Sequence, residues 1–168
     1  PLCKPCHSAK TNREIAEAAQ AGQVTVICGP PGSGKTTYVR AHMQPGDLAV
    51  DLDALFAALS GQPWGDKPDS LLPYVYAAAQ ALTDKLATDT ARPTTWIIST
   101  GKTAKEREYL ARRLAAKIVV FETSPPTCLD RIAQDSQHPQ PFEFYEALVK
   151  EWWERYERRE GDNIVCEK

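Results

Sequence analysis

The stretch Val24-Thr25-Val26-Ile27-Cys28-Gly29-Pro30-Pro31-Gly32-Ser33-Gly34-Lys35-Thr36-Thr37 decides how this chain is read. A short β-branched run breaks into glycines and prolines and ends in Lys-Thr where a helix can begin. Residues 29–36 fit G-x-x-x-x-G-K-[ST], the pattern of a phosphate-binding loop. Gly29, Gly32 and Gly34 allow the backbone to curl so that successive N–H groups point at one anion. Lys35 then reaches the β- and γ-phosphates, and the Thr36 hydroxyl is placed for Mg²⁺. The following helix aims its N-terminal partial charge at the same phosphates. The loop follows a strand-like run and precedes a helix-compatible segment over 36–43, the context the pattern requires. The expected ligand is a nucleoside triphosphate, ATP or GTP, held by Gly29, Pro30, Gly32, Ser33, Gly34, Lys35, Thr36 and Thr37.

With 168 residues and 42% hydrophobic content, the chain has the size of one ordinary domain with a real core. A net charge of −2 and a pI near 6.0 exclude a globally basic nucleic-acid coat, although a local basic groove stays open. No apolar run approaches the roughly 20 residues of a membrane span, and no signal-peptide pattern opens the chain. Five cysteines at irregular spacing do not suggest a disulfide framework, and a reducing, cytoplasmic setting is the expectation. Because residue 1 is Pro1 rather than methionine, the chain reads as a piece of something longer.

Outward from the loop, the pattern alternates strands and helices. On the N-terminal side, Thr11 or Asn12 can cap a helix over 13–21 that stops at Gly22. Beyond it, 48–50 reads as a second strand, followed by Asp51-Leu52-Asp53 and a helix with Leu55, Phe56 and Leu59 on one face. A Gly/Pro loop over 61–68 carries Trp64. A long helix spans 70–88, and 94–99 is a third strand suited to the centre of a parallel sheet. A helix over 105–116, a strand over 117–122, a helix opened by Pro125 and Pro126, a polar break over 134–141 and a long helix over 142–160 complete the order. Residues 163–166 are either an edge strand or a tail. The expected fold is α/β, a parallel sheet with helices on both faces, as in the phosphate-loop NTPases and kinases.

Ligands in such a sheet sit at the carboxyl ends of the strands, which places Asp51 and Asp53 beside the phosphate loop. Two acids near a triphosphate are tolerable where they hold a cation or take a proton. Asp53 is the candidate base for an acceptor hydroxyl, and Asp51 a candidate Mg²⁺ ligand, through water, together with Thr36. The bland alternative is that one of the two caps the helix that follows. Lys102, in the loop after the third strand, and Trp64 are candidates for the acceptor. The cations Lys105, Arg107, Arg112, Arg113 and Lys117 form either a salt-bridged exposed face or a phosphate-tracking groove. Trp152, Trp153 and Tyr156 read as core, and His138 as surface of the polar break.

The chain resembles the kinase family with this loop that includes the 5′-hydroxyl polynucleotide kinases of bacteriophage and bacterial RNA repair. The resemblance rests on Gly29 to Thr37, the acid-rich turn before Leu55, the strand Trp96-Ile97-Ile98-Ser99-Thr100, and Ser124-Pro125-Pro126-Thr127-Cys128-Leu129-Asp130-Arg131. It implies phosphoryl transfer to a hydroxyl, with Asp53 as general base and Arg131, on a lid over 126–141, clamping the transferred phosphate. A solvated surface arginine is the alternative for Arg131. Three positions depart from the pattern. Phe56 stands where relatives commonly carry an acceptor-gripping arginine, the third strand ends in Ser99-Thr100 rather than an aspartate, and a second lid arginine is missing near Asp135. A polynucleotide 5′-OH is the expected acceptor, with a small molecule (a nucleoside, sugar or antibiotic) as the alternative. A non-kinase NTPase module that regulates or drives an attached nuclease is a third reading.

Residues 1–12 are unlike the rest. Leu2-Cys3-x-x-Cys6-His7-x-x-Lys10-Thr11 resembles the C-terminal end of an HNH endonuclease domain, which implies such a domain upstream of a kinase domain over 13–168. Cys3 and Cys6 alone make half a zinc site.

Overall fold

The computed structural model describes residues 21–62, 68–135 and 140–166. The Cys3/Cys6/His7 segment, nearly all of the expected helix over 13–21, Trp64 and His138 lie outside the described residues.

Five strands form one parallel sheet: β1 (Val24–Cys28), β2 (Leu48–Val50), β3 (Thr95–Ser99), β4 (Lys117–Phe121) and β5 (Asn163–Val165), in the order β2-β3-β1-β4-β5. The helices are α1 (Lys35–His42), α2 (Leu52–Ser60), α3 (Leu72–Thr88), α4 (Ala104–Leu114), α5 (Pro125–Gln134) and α6 (Phe142–Arg155). β1 is buried along its whole length, because it has strands on both edges and helices on both faces. Its alternation divides the core. Val24, Val26 and Cys28 pack with Ile118, Val120, Leu86, Leu114 and Trp152 on the face covered by α3, α4 and α6. Ile27 packs with Val119, Phe121 and Val39 on the face covered by α1. A third cluster, Cys128, Ile132 and Val149, joins α5 to α6. The expected architecture is therefore the one observed.

Several boundaries differ from the sequence reading, each for a local reason. α3 begins at Leu72 behind a single 3-10 turn over Asp69–Leu71, since Pro73 lacks an N–H and fits only the first helical turn. α4 stops at Leu114 because Ala115 turns left-handed at φ 48°. α6 ends at Arg155 rather than near residue 160. Tyr156 goes extended there, with its ring stacked on Trp152 at 4.5 Å and its hydroxyl donating to Glu122 at 2.7 Å. The chain then turns at Arg159–Asp162 through Gly161 (φ 90°) and enters β5, which pairs parallel with β4 as an edge strand. On α2, Phe56 is 3% exposed but Leu59 is 53% exposed, so the inner face is narrower than the apolar spacing suggested. Among the described residues, no helix is long and apolar enough to cross a membrane.

Candidate active site

β1 ends where the chain crosses from one side of the sheet to the other, the position at which parallel α/β sheets bind ligands. The loop from Gly29 to Gly34 leaves β1 here with Gly29, Gly32 and Gly34 all at positive φ (153°, 74° and 90°). At Gly32 the need for glycine is also steric. A Cβ there would run into the carbonyl oxygen of Cys128 and stand 3.0 Å from the Ile132 side chain, so α5 lies directly on the loop. Gly34 is the N-cap of α1, and having no side chain it leaves the first-turn N–H groups uncapped. No acidic residue in that turn competes for them. The arrangement is a built anion cradle.

Neighbouring strand ends hold the loop in place. The Gly29 N–H donates to the Thr100 carbonyl at 3.3 Å, and the buried Thr123 hydroxyl donates to the Ser33 carbonyl at 3.3 Å. Inside the cradle, Lys35 Nζ folds back onto the carbonyls of Gly29 at 2.9 Å and Pro30 at 2.6 Å. Burial of its ammonium end pushes its pKa down from the ordinary 10.5 to about 8, against smaller raising effects of Cys28, Cys128, Asp53 and Asp51. Both carboxylates are thus close enough to act electrostatically on the loop lysine. A triphosphate would offer the ammonium charged oxygens in place of two neutral carbonyls, which are much weaker partners.

Asp51 and Asp53 leave the end of β2 at the start of α2. Asp51 is the N-cap of α2, its Oδ1 accepting the Asp53 N–H at 3.0 Å. The capping alternative is therefore realised, at Asp51. Arg131, on α5, reaches the loop from the other side: its Nη1 lies 3.5 Å from where a Cβ on Gly34 would stand. Thr36 is half-buried in the first turn of α1, and Thr37 beside it is exposed. The structure thus gathers Gly29 to Thr37, Asp51, Asp53 and Arg131 around one cradle.

Other candidates sit elsewhere or are otherwise engaged. Lys102 is committed to Glu151 in a half-buried pair at 2.8 Å. Arg107 is not part of a surface cluster: it is fully buried and paired with Asp162 at 2.8 Å. Its spacing with Leu110 and Leu114 was the available signal, because i, i+3 and i+7 share a helix face. Arg112 pairs with Glu108, and Arg113 with Asp84, as a salt-bridged exposed face would require. Trp152 is fully buried, in agreement with a core role. Ser99, at the end of β3, spends its hydroxyl accepting the Gly101 N–H at 3.2 Å. An apolar groove of about 420 Å³ between α5 and α6, lined by Pro125, Leu129, Val149 and Trp153 among others, contains none of the cradle residues.

A family model described as AAA domain matches residues 24–159. The chain belongs to the AAA domain family. That match begins at the first residue of β1 and takes in the cradle, both aspartates, α5 and α6. No curated protein matches the chain significantly. Solved structures share the fold at low identity. A gluconokinase from Sinorhizobium meliloti 1021 is 20% identical, with a TM-score of 0.54, over 86% of this chain and 82% of that one. A shikimate kinase from Acinetobacter baumannii, in complex with shikimate, is also 20% identical, with a TM-score of 0.56, over 91% and 87%. The Pnkp1/Rnl/Hen1 RNA repair complex matches at 15% identity and a TM-score of 0.59, over 82% of this chain and 47% of that one. The fold is that of the phosphate-loop kinases.

The donor set of this AAA-domain site suits Mg²⁺, which prefers oxygen ligands and binds through one or two carboxylates plus substrate phosphates. Thr36 and Asp51 are oxygen donors of that kind. Among the described residues, no group of three or more His, Cys, Asp or Glu side chains could cage a metal by itself.

Proposed function

We propose that this protein is a phosphotransferase moving the γ-phosphoryl group of ATP or GTP to a hydroxyl. The observation that carries the reading is the meeting of opposite charges across one cradle. Arg131 stands over Gly34 from α5, while Asp51 and Asp53 stand at the start of α2, just past the end of β2.

The N–H groups of the loop and of the first turn of α1 hold the β-phosphate. Lys35 leaves the Gly29 and Pro30 carbonyls and bridges to the migrating group, and Arg131 neutralises its equatorial oxygens from the other side. Asp53 orients the acceptor hydroxyl and takes its proton as the oxygen attacks phosphorus. The bond from phosphorus to the β–γ bridging oxygen breaks in line, and its electron pair leaves on the nucleoside diphosphate. Thr36, with Asp51 through water, would hold the Mg²⁺ that offsets charge on the phosphates.

As acceptor we propose a polynucleotide 5′-hydroxyl. The resemblance from Val24 to about Tyr156 supports this, as does the structural likeness to the Pnkp1/Rnl/Hen1 RNA repair complex. An upstream HNH nuclease domain, which the Cys3/Cys6 segment suggests, would act on nucleic-acid ends as well. One observation favours a second reading, a small hydroxyl compound. Phe56, at the position where polynucleotide kinases commonly carry an arginine, is 3% exposed and cannot grip an acceptor phosphate. A gluconokinase and a shikimate kinase share the fold. A motor module is less favoured, since β3 ends at Ser99 without a carboxylate.

Incubation with γ-labelled ATP and Mg²⁺, offering 5′-OH oligonucleotides, gluconate, shikimate and nucleosides in parallel, tests the proposal. Label on the oligonucleotide supports the first acceptor, and label on a small compound supports the second. Phosphate release with no labelled product would sink the transferase reading.

A further inference from the structure

Two strand-end segments flank the phosphate loop, and both are fastened to one stretch near the C-terminal end of the described chain. On the β3 side, the Thr100 carbonyl accepts the Gly29 N–H at 3.3 Å and the Trp152 Nε1–H at 2.7 Å. Arg107 donates to the next two carbonyls, Gly101 at 2.6 Å and Lys102 at 3.3 Å, to Asp162 at 2.8 Å, and to the Glu157 carbonyl. On the β4 side, Thr123 donates to the Ser33 carbonyl at 3.3 Å. Its neighbour Glu122 accepts the Tyr156 hydroxyl and Arg158 Nε, each at 2.7 Å, and its N–H donates to the Val165 carbonyl at 2.9 Å. The Trp152–Tyr156 stack at 4.5 Å links the two sides.

We propose that the stretch from Trp152 to Asp162 is a positioning clamp for the nucleotide-binding loop. Trp152, Tyr156 and the Arg107–Asp162 pair set where the Gly29 N–H and the Ser33 carbonyl, at the two ends of the loop, stand, and so set donor affinity, without touching the nucleotide. A buried ion pair is seldom worth more to stability than apolar side chains of the same volume. What it supplies is direction: a planar guanidinium locked to Asp162 and three carbonyls allows the strap from Gly101 to Lys102 one position only. The proposal rests on the nucleotide-binding reading above.

Two mild variants test it. Trp152→Phe keeps a ring to stack on Tyr156 and loses the donor to Thr100. Tyr156→Phe keeps its ring and loses the hydroxyl on Glu122. Affinity for a fluorescent ATP analogue with Mg²⁺, measured by anisotropy, is expected to weaken about 5–10-fold in each, the scale of one lost hydrogen bond. The ATP-induced rise in melting temperature should shrink in step. The transfer KM for ATP should rise alike, while kcat and the acceptor KM stay within about twofold of wild type. Leu86→Ala, in the core beneath α3, is the control: it should lower the melting temperature yet leave ATP affinity unchanged. Variants that lose melting temperature but keep wild-type ATP affinity would show the contacts to be merely structural and overturn the clamp. A wild-type protein that binds no nucleotide would instead overturn the functional reading, and the clamp with it. Wild-type protein that binds ATP but phosphorylates no acceptor leaves the affinity comparison decisive for the clamp alone.

Discussion

Arg131 Nη1 lies 3.5 Å from the place a Cβ on Gly34 would take, so α5 sets a guanidinium over the residue that caps α1. A group aimed at the transferred phosphoryl matters most when charge spreads over its oxygens. Arg131→Ala should therefore cut kcat by about 10²–10³-fold while ATP affinity falls only a few-fold. Steady-state kinetics beside direct binding checks this. Equal losses in both would place Arg131 in ground-state binding only.

Asp53→Ala should remove about 10²–10⁴-fold of the transfer rate, the usual contribution of a positioned base, and leave nucleotide binding nearly intact. Asp51→Ala should behave differently. It removes the cap on α2 as well as the proposed metal donor, so a loss of about 1 kcal/mol in stability should accompany a raised Mg²⁺ requirement. Denaturation and Mg²⁺ titration together separate the two aspartates. A variant at Asp53 that loses ATP affinity as steeply as turnover would contradict the base role.

The buried Lys35 ammonium predicts two pH effects of known sign. Its folded-state pKa, about 8, lies below the ordinary 10.5 of an unfolded lysine. Between those values the unfolded chain binds more protons, so this residue makes the nucleotide-free protein more stable as pH rises from about 8 towards 10.5. Below pH 8 it contributes no slope. Lys35→Met should abolish that rise, as urea titrations at pH 7.5 and 9.5 would show. ATP affinity should run the other way and weaken as pH passes 8, because the phosphates require the charged form. An affinity independent of pH between 7 and 9.5 would count against Lys35 as the phosphate ligand.

Ala115 ends α4 in the left-handed region at φ 48°, a conformation that costs an L-residue roughly 1–2 kcal/mol. It is exposed, so Ala115→Gly disturbs no packing. The substitution should raise stability by about 0.5–1 kcal/mol without changing activity. A lowered melting temperature would refute the account of this helix end.

Arg107→Ala should be the most damaging change outside the cradle. It leaves the fully buried Asp162 side chain with Arg159 as its remaining cation, so the loss should fall towards the lower end of the cost of breaking a buried pair, about 3–5 kcal/mol. Denaturant unfolding measures the loss. A change below about 1 kcal/mol would mean that the strap does not depend on the pair.

The sheet and the cradle were legible in the sequence because their signals are local. β1 is a short, mostly apolar, β-branched run, and the glycines and Lys35-Thr36 that follow it fall within eight residues of one another. The two aspartates could be placed by rule, because residues just past the carboxyl ends of parallel strands share the ligand-binding end of the sheet, even though β3 lies between β2 and β1. What the sequence did not disclose depends on partners far along the chain. Arg107 looks like its solvated neighbours until Asp162, 55 residues later, arrives to neutralise it. Lys102 looks like an acceptor ligand until α6 delivers Glu151. Leu59 fits an inner helical face by spacing, yet the packing of α2 leaves it half in solvent.

By itself, then, the sequence determined the strand order in time, the position of the anion cradle and the acids beside it. Short-range backbone preferences and the alternation of apolar residues suffice for those. Only the tertiary structure decided which cations face the cradle and which are paired at the strand ends around it. A charge is worth carrying into the interior only when a partner meets it there, and that pairing is settled when α6, the turn through Gly161 and β5 close over the strand ends.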